Sequence, residues 1–163
     1  MKNILKTTAV TIFVATLVLP STTLFAGAGH DDEEFEAVTK EFGSYEPDMK
    51  ATKTIEIGMS DEMRFTPDVI NVKVGDIVKF EHKNNGKIRH EFVLGTESTL
   101  DEHAKMMKKF PNMEHSEPYM AHVDPGDHGK ILWKFTKAGE FAFGCLIPGH
   151  YDAGMKGKVI VES

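Results

Sequence analysis

The stretch Ile70-Asn71-Val72-Lys73-Val74-Gly75-Asp76-Ile77-Val78-Lys79-Phe80-Glu81-His82 alternates apolar and polar side chains on both sides of a Gly-Asp break. Alternation with a period of two marks strands that bury one face, and Gly-Asp is punctuation between strands. Upstream, Ile55, Ile57 and Met59 repeat the pattern. Downstream, Asn84-Asn85-Gly86 carries hairpin-turn chemistry and predicts a meander into a strand over Ile88–Leu94. Asp124-Pro125-Gly126 then precedes a strand over Ile131–Phe135, Ala138-Gly139 precedes one over Phe141–Cys145, and Lys158–Glu162 forms a last strand. About seven strands in roughly 110 residues have the size and rhythm of an all-β, Greek-key β-sandwich. Trp133 alternates with Ile131 and Phe135 and is expected in its core.

One segment breaks the rhythm. Thr99-Leu100-Asp101-Glu102 reads as a capping box and Pro111 as a stop, which predicts one helix over Leu100–Phe110 inside a long connection between strands. Connections of that length usually carry function or mobility.

The ends of the chain follow a different logic. Lys2 and Lys6, an acid-free apolar run from Thr7 to Leu19, and Ala26-Gly27-Ala28 make residues 1–28 a secretory signal peptide cleaved near Ala28. An uncleaved anchor is the alternative, though the run stops at Pro20, short of the ~20 residues a spanning helix needs. Residues 29–52 form an acidic, loosely ordered extension, and Phe35, Val38 and Phe42 have the spacing of a short amphipathic helix. Residues 53–163 make the folded domain. A periplasmic protein, free of the membrane after cleavage, is the expectation.

The whole chain has 163 residues, 40% of them hydrophobic and 27% charged, which fits one globular domain. Its formal charge of −6, without a Lys/Arg-dense tract, argues against nucleic acid as a partner. The single cysteine, Cys145, excludes an internal disulfide framework and a cysteine-only metal cluster within one chain.

Cys145 opens the run Cys145-Leu146-Ile147-Pro148-Gly149-His150-Tyr151-Asp152-Ala153-Gly154-Met155, a C-x₄-H-x₄-M pattern between two predicted strands. Thiolate, imidazole and thioether on one loop are donors that suit copper. A trigonal type 1 copper site takes two His and one Cys in plane and a weak axial Met, so one histidine must come from elsewhere. His90 is the best candidate, alternating with Ile88 and Phe92 toward the inner face. Pro148 and Gly149 are expected to turn His150 back toward Cys145. Zinc is the rival ion, with a water replacing Met155, because a thioether is a poor zinc ligand. His82 and His128 read as a strand-face and a turn histidine.

With these residues in view, residues 53–163 resemble the cupredoxins, the small blue-copper proteins that include plastocyanin, azurin and rusticyanin. The resemblance is carried by Phe65-Thr66-Pro67, Val74-Gly75-Asp76, His90, Val123-Asp124-Pro125-Gly126, Gly139-Glu140-Phe141 and the C-x₄-H-x₄-M loop. It implies a sandwich of seven to eight strands with one copper at one end, bound by His90, Cys145, His150 and Met155. The loop length looks most like rusticyanin. Where plastocyanin and azurin carry an Asn after the first histidine, this chain has Glu91.

Catalysis is not expected. The oxidases and nitrite reductases of that superfamily reach a second copper through histidines flanking the type 1 cysteine, whereas Cys145 lies between Gly144 and Leu146. A one-electron carrier for a redox partner protein remains, as does copper tolerance alongside a copper-exporting or oxidising system. For the second role the long connection offers His103, Met106, Met107, Met113, His115, Met120 and His122, a candidate accessory Cu(I) site. Equally, methionines at helical spacing pack onto cores, with Leu100 and Ala104 completing such a stripe. The chain is similar in this respect to periplasmic copper-tolerance cupredoxins, which pair a type 1 site with extra Met and His. A copper-sequestering or delivery protein without an electron-carrier role is the alternative function. His30 would complete an amino-terminal copper motif only if cleavage fell after Gly27.

Overall fold

A computed structural model describes residues 35–111, 113 and 115–163. Residues 1–28, expected from the sequence to be a signal peptide, and His30 lie outside them. The described residues contain eleven strands and one helix in two sheets. The first sheet runs in the order β1 (Val38–Lys40), β2 (Gly43–Tyr45), β9 (His128–Lys134), β6 (Ile77–Asn84), β3 (Lys53–Ser60), β4 (Arg64–Thr66). The second runs β5 (Val69–Lys73), β11 (Lys156–Glu162), β10 (Gly139–Gly144), β7 (His90–Gly95), β8 (Met120–Val123). β3 pairs with β6, and β5 with β11, in parallel, while the other pairs are antiparallel. That is a Greek-key β-sandwich.

Alternation places the core as the sequence predicts. Along β6, Val78, Phe80, His82 and Asn84 are buried, and along β5 so are Ile70 and Val72. Between the sheets Phe92 stacks on Phe143 at 5.0 Å and meets Phe65 edge-on at 5.8 Å, contacts worth roughly 0.5–1.5 kcal/mol each beyond burial. Trp133 is fully buried, and its Nε1–H donates to the Phe42 carbonyl at 3.0 Å.

Several expectations change. Asn84-Asn85-Gly86 does not close a hairpin, because β6 and β7 lie in opposite sheets. The Asn84 side chain instead ties the crossing corner, donating to the Ile88 and Val123 carbonyls at 2.8 and 2.9 Å and accepting from Gly86 N–H at 2.8 Å. Ile88 is 41% exposed and Val74 42%, since each falls beyond the end of its strand. The spacing of Phe35, Val38 and Phe42 yields no helix. Residues 38–45 form the β1–β2 pair, which joins the first sheet through Ser44 opposite Lys134 and sends Phe42 into the core. Together with short β4, and with β8 inside the long connection, these strands raise the number above the expected seven to eight.

The helix α1 spans Glu97–Lys109, starting earlier than expected. Thr96, not Thr99, is the N-cap, and Thr99 closes the box by accepting from Thr96 N–H at 2.9 Å. Leu100, Ala104 and Met107 face inward against Val93, Leu146 and Tyr151. Burial of a side chain the size of Leu100 stabilises by about 1.5–3 kcal/mol. This cover explains why every residue of β7 is buried: one face meets the opposite sheet and the other meets α1. Among the described residues no helix is long and apolar enough to cross a membrane.

Candidate metal centre

Cys145 immediately follows β10, and the loop from it to β11 is closed by its own backbone. Cys145 N–H donates to the Met155 carbonyl and Met155 N–H to the His150 carbonyl, both at 3.0 Å. His150 N–H donates to the Ile147 carbonyl at 3.0 Å, a turn that Gly149 permits with φ of +93°, where a side chain would strain the backbone. These bonds bring His150 Nδ1 to 3.3 Å from Cys145 Sγ. His90, the first residue of β7, completes the group: one donor atom each from His90, Cys145 and His150 lie within 4.8 Å of one another. Bonds of about 2.0–2.3 Å, typical of a first-row ion with N and S ligands, fit inside such a triangle.

Groups outside the triangle orient it. His90 Nε2 lies 3.2 Å from Asp61 Oδ1, while its Nδ1 is buried without a hydrogen-bond partner among the described residues. A carboxylate on one imidazole nitrogen fixes the ring and leaves the other nitrogen for a metal. Asp61 is itself held by the Lys87 N–H, at 3.0 and 2.8 Å from its two oxygens, and that bond is the main cause holding its carboxyl below the usual range. Glu91, which stands where plastocyanin and azurin carry an Asn, makes two contacts with the ligand loop. Its backbone N–H donates to Cys145 Sγ at 3.3 Å, and its carboxylate Oε2 accepts from Leu146 N–H at 3.1 Å, joining β7 to the ligand loop at the sulfur and at the residue after it.

Burial pushes the Cys145 thiol up to about 12, against the lowering effect of the Glu91 and Ile147 N–H groups. A metal entering at neutral pH must therefore displace a proton, which a soft ion bound by thiolate does readily. Burial, then the neighbouring His90, lowers the pKa of His150 and favours the neutral ring a metal needs. His90, Cys145 and Met155 are fully buried, whereas His150 is half-buried at the edge of a cavity of about 930 Å³.

Met155 is tied to Cys145 through its carbonyl, and its side chain is enclosed in the main core. If copper were held here, the Met155 thioether would be a weaker donor than the two imidazoles and would tune the ion rather than retain it. Met155→Leu is expected to keep a coloured copper with an altered potential. Loss of copper from that variant, with His90→Ala still loaded, would reverse this order of ligands.

The seven candidate accessory residues separate. Met107 and Met120 are buried in the smaller core beneath α1, Met113 packs against it, and Met106 is 44% exposed. Three of the four methionines thus share one apolar cluster as packing residues, and Met106 stands apart from them. The three histidines do converge, with ring centroids of His103 and His115 at 4.6 Å and of His115 and His122 at 6.1 Å. His82 is a buried strand residue, and His128 begins β9 in an exposed position rather than sitting in a turn.

A thiol flanked by two imidazoles at one end of a two-sheet Greek-key sandwich, with a methionine backing the loop, defines a mononuclear copper-binding β-sandwich protein. The chain belongs to the plastocyanin/azurin family of copper-binding proteins, whose family model matches residues 51–162. It is 45% identical, over 87% of its length and 90% of the relative's, to the copper-resistant cuproprotein CopI of Rubrivivax gelatinosus. It is 32% identical to the protein of the same name from Pseudomonas aeruginosa, covering 89% of this chain and 97% of that one. Among solved structures, auracyanin B superposes with a TM-score of 0.62 at 19% identity, covering 71% of this chain and 92% of that chain, a likeness of fold.

Proposed function

We propose that this chain is an exported, non-catalytic copper protein of copper resistance that holds one type 1 copper through His90, Cys145, His150 and Met155 and passes single electrons through it. The observation that carries the reading is the convergence of His90, Cys145 and His150 within 4.8 Å. The relatives named for copper resistance support the cellular role. Copper held by these residues would supply the one-electron chemistry, which calls for a protein frame that changes little as the charge changes. The two outer carboxylates and the backbone-closed loop supply that constancy. His150 is the ligand nearest the surface, so a redox partner protein docks over it.

The test joins the purified protein to the cell. The mature protein should retain one copper per chain with an intense visible band that bleaches on reduction, and a strain lacking the gene should regain copper tolerance with the wild type but not with His90→Ala. Uptake of zinc alone from a mixed-metal medium, or full tolerance with His90→Ala, overturns the reading.

A further inference from the structure

We propose that Glu91 is a positioning residue of the copper site that sets its preference for the cupric over the cuprous ion through a buried negative charge. The inference rests on the function proposed above, with copper held by His90, Cys145, His150 and Met155.

The pleat of β7 explains the placement. Phe92 turns to the opposite sheet, where it meets Phe65 and Phe80, and Val93 turns to the side that α1 covers. By the same alternation His90 shares the face of Phe92 and Glu91 that of Val93. Glu91 is 1% exposed, and two of its groups reach the ligand loop. Its N–H donates to Cys145 Sγ at 3.3 Å, and Oε2 accepts from Leu146 N–H at 3.1 Å. The carboxylate thus lies against the peptide that follows the sulfur.

Holding the loop does not by itself call for a carboxylate. The oxygen of an Asn or Gln amide accepts an N–H as well, without the cost of burying a charge. What the carboxylate adds is its charge. Its other oxygen, Oε1, lies 2.9 Å from Nε2 of His122, the residue opposite it in the β7–β8 pair. An imidazole is not a permanent cation, so this pairing leaves more of the negative field in place than a Lys or Arg there would. Water screens that field weakly at a buried position. Cu(II) carries one more positive charge than Cu(I), and an interior anion therefore favours the cupric form. Asp61, against His90 Nε2, has the same sign, but its side chain is 38% exposed and acts through more solvent. A site biased in this way gives its electron to a partner more readily than it takes one.

The test reads the ratio of cupric to cuprous affinity as the midpoint potential of copper-loaded protein at one neutral pH. Glu91→Gln keeps an acceptor for Leu146 and removes the charge. It should retain the intense visible band and lower the ratio at least about 10-fold, the lower end of what outer partners of ligands contribute, read as a rise of about 59 mV or more for one electron. His122→Lys, which sets a permanent cation against Oε1 and leaves Glu91 in place, should move the ratio the same way. Glu140→Gln removes an exposed charge from the far end of β10 and should leave the ratio unchanged. A reading on metal-free protein checks the contact itself: the Leu146 amide should exchange its hydrogen slowly in the wild type and in Glu91→Gln, and faster in Glu91→Ala. An unmoved ratio in Glu91→Gln or His122→Lys, an equal shift in Glu140→Gln, or a wild-type Leu146 amide that exchanges as fast as in Glu91→Ala overturns the proposal. Failure of the function proposed above shows instead as a wild type without the visible band.

Discussion

Cys145→Ser should abolish the intense visible absorption of the copper-loaded protein entirely and weaken copper binding by more than about 100-fold, since even the outer partners of ligands are worth about 10–100-fold. Cys145 is the only cysteine in the chain, so no other thiolate can produce the charge-transfer band. Its sulfur stands 3.3 Å from His150 Nδ1 and accepts from the Glu91 N–H at the same distance, a position a serine oxygen can occupy without disturbing the strand. Serine, however, offers a harder and far less acidic donor, and softness is what selects copper here. The buried thiol, pushed up to about 12, also marks the wild type in a way the variant cannot copy. Copper uptake at neutral pH should release about one proton per ion from the thiol, and the serine variant should release none from this position. Absorption, chelator competition and proton release during titration check the three parts. A band that survives in Cys145→Ser would mean that the sulfur is not a ligand.

The ligand loop was legible because its chemistry is local. Cys145, His150 and Met155 lie within one run, and the backbone bonds that close it join residues of that same run. The outer shell was not legible. Asp61 reaches His90 across 29 positions of sequence, and nothing in the residues around Asp61 announces a partner. Glu91 could be seen to depart from the family's Asn, but that its carboxylate would join the ligand loop depends on how closely β7 and that loop approach. The fold divides along the same line. Period-two alternation fixed which side chains of β6 turn inward, yet alternation carries no information about which sheet a strand enters, so Asn84 looked like a hairpin turn when it ties a corner. The segment from Phe35 to Phe42 fitted a helical period, but distant contacts decided against it. Phe42 stacks on Trp133 at 5.1 Å, and a side chain at Gly43, where φ is +139°, would collide with the Lys134 carbonyl. In the long connection, helical spacing does not separate packing methionines from ligating ones, and the fold decides that Met107 and Met120 fill a core while the three histidines converge.

Acid should destabilise the fold through His82, by an amount on the order of 4–5 kcal/mol as the pH falls from about 6.5 to 3, because each pK unit of difference between folded and unfolded states is worth about 1.4 kcal/mol. His82 lies toward the end of β6, almost fully buried, with its ring centroid 4.4 Å from that of Phe92. Burial lowers its pKa from 6.5 to about 3, and the backbone of Gly129, its neighbour across the β6–β9 pair, offsets this only in part. Above pH 6.5 both the folded and the unfolded ring are neutral and His82 contributes no pH dependence. Between those values the unfolded chain binds a proton that the folded chain refuses, so stability declines with falling pH. His82→Leu removes that proton and places an apolar side chain against Phe92. Denaturant unfolding of the metal-free proteins across this range should therefore show a shallower decline for the variant, which becomes the more stable of the two at acidic pH. Equal slopes for the two proteins would show that His82 is protonated within the fold, and that the β6–β7 packing around it opens to water.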